Sequence, residues 1–290
     1  MAEWEGKSVG PETGYKIFIY LIKNIGINAA YFLLVFVSFY YFVFNQKQTR
    51  VTYQYFRNKH HYSIGKSLVS AYRNYFIFGQ TLIDKVAIAA GLENKFTYEF
   101  DGVENIYQLA KDESAGIMIS AHVGNFELAQ HFMYGFDKKI HLVTTDEERR
   151  AIKSLLDSVM AKPKVEFITV KDDLSHIFDI HKVIENQQII CFTGDRFFPN
   201  TKTLEAEFLG ETAKFPAGPF LLSSRLNTPV LFVYVMRERN RHYHLYARKS
   251  EFKNRDAQSL LESYTQSMEK ILEKYPLQWF NYYDFWKKDA

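Results

Sequence analysis

Gly116-Ile117-Met118-Ile119-Ser120-Ala121-His122-Val123-Gly124-Asn125-Phe126-Glu127 passes from an apolar run through a polar, glycine-containing turn. A stretch of helical character then reaches about Tyr134. Four apolar residues bounded by a turn have the length of a buried strand. Outward from this segment, short apolar runs alternate with stretches of helical spacing. Strands are expected near 117–120, 140–145, 165–170, 188–193, 229–236 and 242–248, and helices near 103–111, 125–135, 147–160, 174–186, 215–226 and 257–274. Such alternation predicts an α/β fold with a mixed, largely parallel sheet flanked by helices. No flexible linker interrupts residues 97–290, so they read as one catalytic core.

His122 falls where the first of these strands ends, the usual place for reactive groups in an α/β sheet. Glu127 follows five residues later, in the first turn of the next helix, and a loop between them can bring carboxylate to imidazole. A neutral imidazole, with an unperturbed pKa of about 6.5, can take a proton from a hydroxyl near neutral pH. A carboxylate on its other nitrogen fixes the tautomer and stabilises the imidazolium. No Gly-x-Ser-x-Gly elbow is present. The reading is therefore direct attack by an activated substrate hydroxyl on an acyl donor, without an acyl-enzyme. Two blander readings stand beside it: a structural histidine at a strand end, and a glutamate that complements a helix dipole. Gly124 permits the tight turn between the two residues, and Asn125 holds that turn or caps the helix; both are also expected among the substrate-binding residues.

Ser120-Ala121-His122-Val123-Gly124-Asn125-Phe126-Glu127 resembles the signature of the lipid A late acyltransferases, within the lysophospholipid acyltransferase superfamily. Phe126 stands where that family often has Trp. Further blocks follow in the family's order: Thr193-Gly194-Asp195-Arg196; Phe208-Leu209-Gly210 with Lys214-Phe215-Pro216-Ala217-Gly218-Pro219-Phe220; Thr228-Pro229-Val230-Leu231-Phe232-Val233; and Tyr275-Pro276-Leu277-Gln278-Trp279-Phe280. The resemblance covers roughly residues 12–286. It implies that His122 and Glu127 are catalytic and that Asp195 and Arg196 contact the acceptor or its phosphate. A local Asp195–Arg196 ion pair is the competing reading. The donor implied is an acyl thioester, acyl carrier protein or CoA, with no resident cofactor and no metal. Arg149, Arg150 and Lys153 could meet an acidic carrier protein or a phosphorylated headgroup, although Glu147 and Glu148 beside them also fit a solvated helix face. The acceptor implied is a lipid A precursor or another bacterial glycolipid, aminolipid or polyene lipid.

At the other end of the chain, residues 24–46 carry no charge. About 20 apolar residues cross a hydrocarbon core as a helix, and Tyr40 and Tyr41 suit a headgroup region. The chain is thus divided into an N-terminal membrane anchor at 1–46 and an acyltransferase domain at 47–290. Within that domain, residues 47–96 form a helical membrane-proximal layer. A buried core helix, or a helix lying in the membrane interface, is the alternative for the apolar stretch. A bacterial inner membrane, with the catalytic domain on its cytoplasmic face, is the location expected. The sole cysteine, Cys191, cannot form an intramolecular disulfide and fits that compartment.

Composition fits a lipid substrate. Hydrophobic residues make up 47% of the chain, with 20 Tyr and 26 Phe, enough aromatic surface for an acyl pocket and a membrane-resting face. A net charge of only +3 gives no basis for nucleic-acid binding. No metal-ligand cluster, Walker loop or internal repeat occurs. A catalytically inactive lipid-binding or scaffold protein, or an esterase-like hydrolase, are the alternatives to a transferase.

Overall fold

The computed structural model describes residues 12–111, 114–128, 137–145, 165–171, 173–197 and 201–286. Its centre is a seven-stranded sheet with strand order β1-β9-β8-β2-β5-β3-β4. The strands are β1 (Thr97–Asp101), β2 (Gly116–Ser120), β3 (Ile140–Thr144), β4 (Val165–Thr169), β5 (Ile189–Thr193), β8 (Val230–Arg237) and β9 (His242–Lys249). β8, β2, β5, β3 and β4 run parallel. β9 is antiparallel to β8 and pairs in parallel with β1. The mixed, largely parallel sheet expected from the sequence is the one observed.

Side chains alternate across the two faces, as the pleat requires. Ile117, Ile119, Phe232 and Tyr234 face one apolar cluster, while Met118, Leu231, Val233 and Val235 face the other. Against the first face lie α6 (His176–Glu185), α7 (Ala217–Arg225) and α8 (Ala257–Lys274), with Ile180, Phe220, Tyr264 and Met268 all buried. The second face is covered by α5 (Val103–Lys111) and an N-terminal helical layer. That layer comprises α1 (Glu12–Asn24), α2 (Ile27–Phe44), α3 (Gln46–Gln54) and α4 (Ile64–Ala89). Ser63 caps α4 at its start. Gly91, at φ +85°, ends it, its N–H bonding Ile88 and that of Leu92 bonding Ala87 at 3.0 Å each. This left-handed termination needs no Cβ.

Three strands escaped the sequence reading: the edge strand β1, whose side chains are mostly exposed, and two strands outside the main sheet. β6 (Thr203–Phe208) and β7 (Glu211–Pro216) form a separate antiparallel hairpin. Its two-residue turn, Leu209 and Gly210, has positive φ at both positions, the primed geometry that matches strand twist. The helix expected from residue 215 therefore starts at Ala217, because Phe215 and Pro216 finish a strand. The predicted helix at 125–135 begins as a single 3-10 turn, Phe126–Leu128, and its remainder lies outside the described residues. The same holds for the helix at 147–160.

The uncharged stretch at 24–46 is broken at each end, by Gly26 at φ 119° and by Asn45. One 18-residue helix remains, about 27 Å long at 1.5 Å per residue. Its buried stripe, Ile27, Ala30, Leu34 and Ser38, rests on α4, where Leu34 fills the space that a Cβ on Gly79 would occupy. Phe32, Phe36, Phe39, Tyr40 and Phe44 remain exposed on the helix's outer side.

Candidate active site

β2 and β5 lie side by side in parallel, so the residues just beyond their carboxyl ends meet. His122 follows β2 and Asp195 follows β5. The His122 Nδ1 stands 2.8 Å from an Asp195 carboxylate oxygen, and the His122 backbone N–H donates to both oxygens at 3.1 and 3.0 Å. Asp195 also accepts from the Trp279 indole N–H at 3.3 Å. Its side chain is 1% exposed, whereas that of His122 is 13% exposed. Burial alone would push the Asp195 carboxyl up. The His122 imidazole, through its charge and hydrogen bonds, together with Arg196 holds it below its ordinary value instead. With Nδ1–H directed to a carboxylate, Nε2 carries the lone pair and is the nitrogen that can take a proton.

The sequence reading put Asp195 against the acceptor or its phosphate; the fold buries it under His122, where its carboxylate is placed to orient the ring. Arg196 donates to the Phe280 carbonyl at 2.8 Å, which places its guanidinium beside the C-terminal segment. Glu127 occupies the 3-10 turn after the loop, and its side chain lies outside the described part of the chain. Arg150 lies outside the described residues. Phe126 packs edge-on against the His122 ring at 5.5 Å.

Gly124 and Asn125, both expected to bind substrate, shape the loop. Gly124 has φ +56°, and a Cβ there would lie 2.2 Å from the Val235 carbonyl oxygen. Only glycine combines that conformation with so close an approach. Asn125 is buried. Its backbone N–H donates to Val235 O at 2.7 Å, and its amide nitrogen donates to Thr81 O at 3.1 Å and the Tyr243 hydroxyl at 3.3 Å. The loop is therefore stitched to β8, β9 and α4 together.

A second clamp comes from Leu277-Gln278-Trp279-Phe280. Gly124 N–H donates to Gln278 O at 2.8 Å, and Phe280 N–H donates to His122 O at 3.0 Å. The Gln278 amide brackets the backbone of Arg237, accepting from its N–H at 2.9 Å and donating to its carbonyl at 2.7 Å. Asn74 on α4 donates to the carbonyls of Leu277 and Trp279 at 3.0 Å each. Trp279 itself sits among Tyr55, Phe208, Phe285 and Trp286. The sequence block containing Gln278 and Trp279 signalled the family resemblance without disclosing this contact with the base. Among the described residues, no group of three or more His, Cys, Asp or Glu could hold a metal ion.

The arrangement is a partly accessible base on a buried, ionised carboxylate, at the carboxyl edge of a parallel sheet. It can activate a hydroxyl, an amine or water. Among curated proteins, none matches the chain. Residues 69–288, which include every strand of the sheet and the whole site, match the family described as bacterial lipid A biosynthesis acyltransferase. The chain belongs to that family of acyltransferases.

Proposed function

We propose that this protein transfers a fatty acyl group from a thioester, on acyl carrier protein or CoA, to a hydroxyl or amine of a membrane lipid. The observation that carries this reading is the His122–Asp195 pair, with the ring partly accessible and its carboxylate sealed from solvent. In the reaction, His122 Nε2 accepts the proton of the acceptor hydroxyl as its oxygen attacks the thioester carbonyl. The tetrahedral intermediate collapses with cleavage of the C–S bond, and the imidazolium returns the proton to the departing thiolate. Products are an ester (an amide from an amine) and a free thiol. Asp195 holds the ring tautomer and stabilises the imidazolium in both steps.

The family favours a lipid A precursor as acceptor. Access from a lipid layer is favoured by what surrounds the site. Phe78 on α4 packs on Phe280 at 4.9 Å and Tyr75 stacks on Tyr282 at 5.1 Å. Ile64, Leu68 and Val69 are exposed on the same helix, beside the exposed rings of α2. The exposed apolar side chains of α4 and α2 support a membrane-resting face, while the buried Tyr75 and Phe280 join α4 to the C-terminal segment of the site. With 22% of its residues buried, α2 is seated on the domain along one stripe and leaves the rest for lipid. The inner membrane's cytoplasmic side, where acyl thioesters are available, is the location this reading requires.

The test is comparative lipid mass spectrometry in cells lacking the gene, complemented with wild type or His122→Ala. One lipid should gain an acyl-sized mass increment only with wild type, and the acceptor is thereby identified. Identical lipidomes with both proteins folded and present would overturn the transferase reading and favour a lipid-binding role.

A further inference from the structure

Asp84 lies in α4 between Ile83 and Lys85, and its side chain is fully buried. A carboxylate in that position must be paired or neutral. It has three partners from three different elements. Tyr31 of α2 donates to one oxygen. Arg237 Nε and the Tyr243 hydroxyl donate to the other at 2.8 and 2.6 Å. The Arg237 guanidinium also donates to the Tyr31 hydroxyl at 3.1 Å and to the Glu238 carbonyl at 3.2 Å. Burial would lower the Arg237 value, but Asp84 and the two tyrosines raise it above the ordinary one. The guanidinium is therefore a permanent charge.

A buried ion pair of this kind contributes little net stability compared with an apolar replacement; its use is to fix geometry. What it fixes is visible in two paths to the catalytic loop. The Tyr243 hydroxyl donates a hydrogen bond to Asp84 and accepts one from the amide of Asn125, three residues beyond the base. Arg237, held at its backbone by the Gln278 side chain, lies one link from both halves of the pair. Gln278 O takes the Gly124 N–H, and the adjacent Trp279 indole donates to Asp195.

We propose that α2 is a positioning element of the active site. Its Tyr31, through Asp84, Arg237 and Tyr243, sets the place of the His122 loop, so that turnover depends on α2 being seated on α4. The inference rests on the acyl-transfer reading for its kinetic consequence, though not for the coupling itself. Conditions that lift α2 from the domain would then slow the reaction without touching His122 or Asp195.

The experiment uses the full chain in phosphatidylethanolamine/phosphatidylglycerol nanodiscs and compares wild type, Tyr31→Phe and Tyr20→Phe. Tyr31→Phe removes one hydroxyl and keeps the ring. Tyr20, on α1, is 62% exposed and serves as control. Backbone hydrogen exchange is read at Gly124 and Asn125, whose N–H groups are bonded to Gln278 and Val235. For Tyr31→Phe, exchange there should rise about tenfold, the order expected for one hydrogen bond to a buried charge. The strands β2, β5 and β8 should keep their protection. Acyl transfer should lose about tenfold in kcat with KM little changed, and Tyr20→Phe should match wild type. Unchanged exchange at Gly124 and Asn125 would overturn the coupling, and so would a loss of protection spread evenly over the sheet. If wild type itself transfers no acyl group to lipid, the acyl-transfer reading fails, and the exchange result still decides whether α2 positions the loop.

Discussion

Two buried aspartates flank the same loop and do different work. Asp195 sits under His122 at the edge of β5, and Asp84 sits in α4 among Tyr31, Arg237 and Tyr243. Asp195 is paired with a side chain that is partly accessible and can exchange a proton. Asp84 is paired with a guanidinium that cannot, and with two phenols that burial and neighbouring charge keep protonated. In the proposed mechanism, one carboxylate is thus placed where a charge appears and disappears during turnover. The other balances a charge that never changes. Burial alone does not mark a catalytic carboxylate; the acid–base capacity of its partner does.

The largest expected effect separates them by kinetics. Asp195→Asn should lower kcat by roughly 10³–10⁴-fold with the fold retained, because the ring loses its anionic partner and its fixed tautomer. His122→Ala should be at least as impaired, and the double variant should be no worse than the more damaged single, since the two act as a unit. Acyl transfer rates for the three proteins check this. Additive losses would break the pairing. Glu127→Gln sharpens the same point: with Nδ1 already on Asp195, its effect should be smaller than that of Asp195→Asn.

Asp84 should respond in stability. Asp84→Ala leaves the Arg237 charge buried without its carboxylate, costing about 3–5 kcal/mol. Asp84→Leu combined with Arg237→Met removes both charges and should recover much of that loss. Denaturant melts of single and double variants give the coupling. A double variant as unstable as the sum of its parts would show that the two residues do not form the unit described.

Gly124→Ala tests the backbone rather than the charges. A methyl group would meet the Val235 carbonyl, and φ +56° disfavours an L side chain. Displacement of the loop should cost on the order of 2–3 kcal/mol and should lower activity further by moving His122. A well-folded, fully active Gly124→Ala would mean that the loop tolerates a shifted path.

How much of this the sequence disclosed depends on the range of the interactions. The sheet was legible because each buried strand is a short apolar run between turns; β2, β5 and β8 lie within a residue or two of their expected places. The β6–β7 hairpin was hidden because Phe215 and Pro216 read equally well as the start of the following helix. His122 was visible from its position after a strand, and Asp195 from its own strand-end block. Their pairing was not, because 73 positions separate them and only the parallel β2–β5 register brings them together. Glu127 was visible because it lies five residues from His122, and its side chain lies outside the described part of the chain. Asp84 had no local signal at all: a lone acid in an amphipathic helix usually faces water, and its partners come from residues 31, 237 and 243. Tyr31 was read as part of an apolar membrane segment, which is true of its ring and not of its hydroxyl.

The smallest expected effect lies at His60, which follows a π-helical turn, Tyr55–Lys59, and contacts Tyr55, Phe56 and Tyr62. Its Nε2 is buried and has no hydrogen-bond partner among the described residues. Burial, with His61 and Lys66 nearby, lowers its pKa to about 4 from an ordinary value of 6.5. The folded protein therefore prefers the neutral ring, while the unfolded chain takes up a proton as pH falls below about 6.5. Stability from this site is complete above that pH and is lost progressively on acidification towards pH 4. Partial exposure screens the effect, leaving about 1 kcal/mol. His60→Phe keeps the aromatic packing and removes the titration, so its stability should fall less than that of wild type between pH 6.5 and 4. Parallel stability curves for the two proteins over that window would show that His60 is already free to charge in the folded state. The His60 cluster would then differ from the Asp84 network in tolerating water where the latter excludes it.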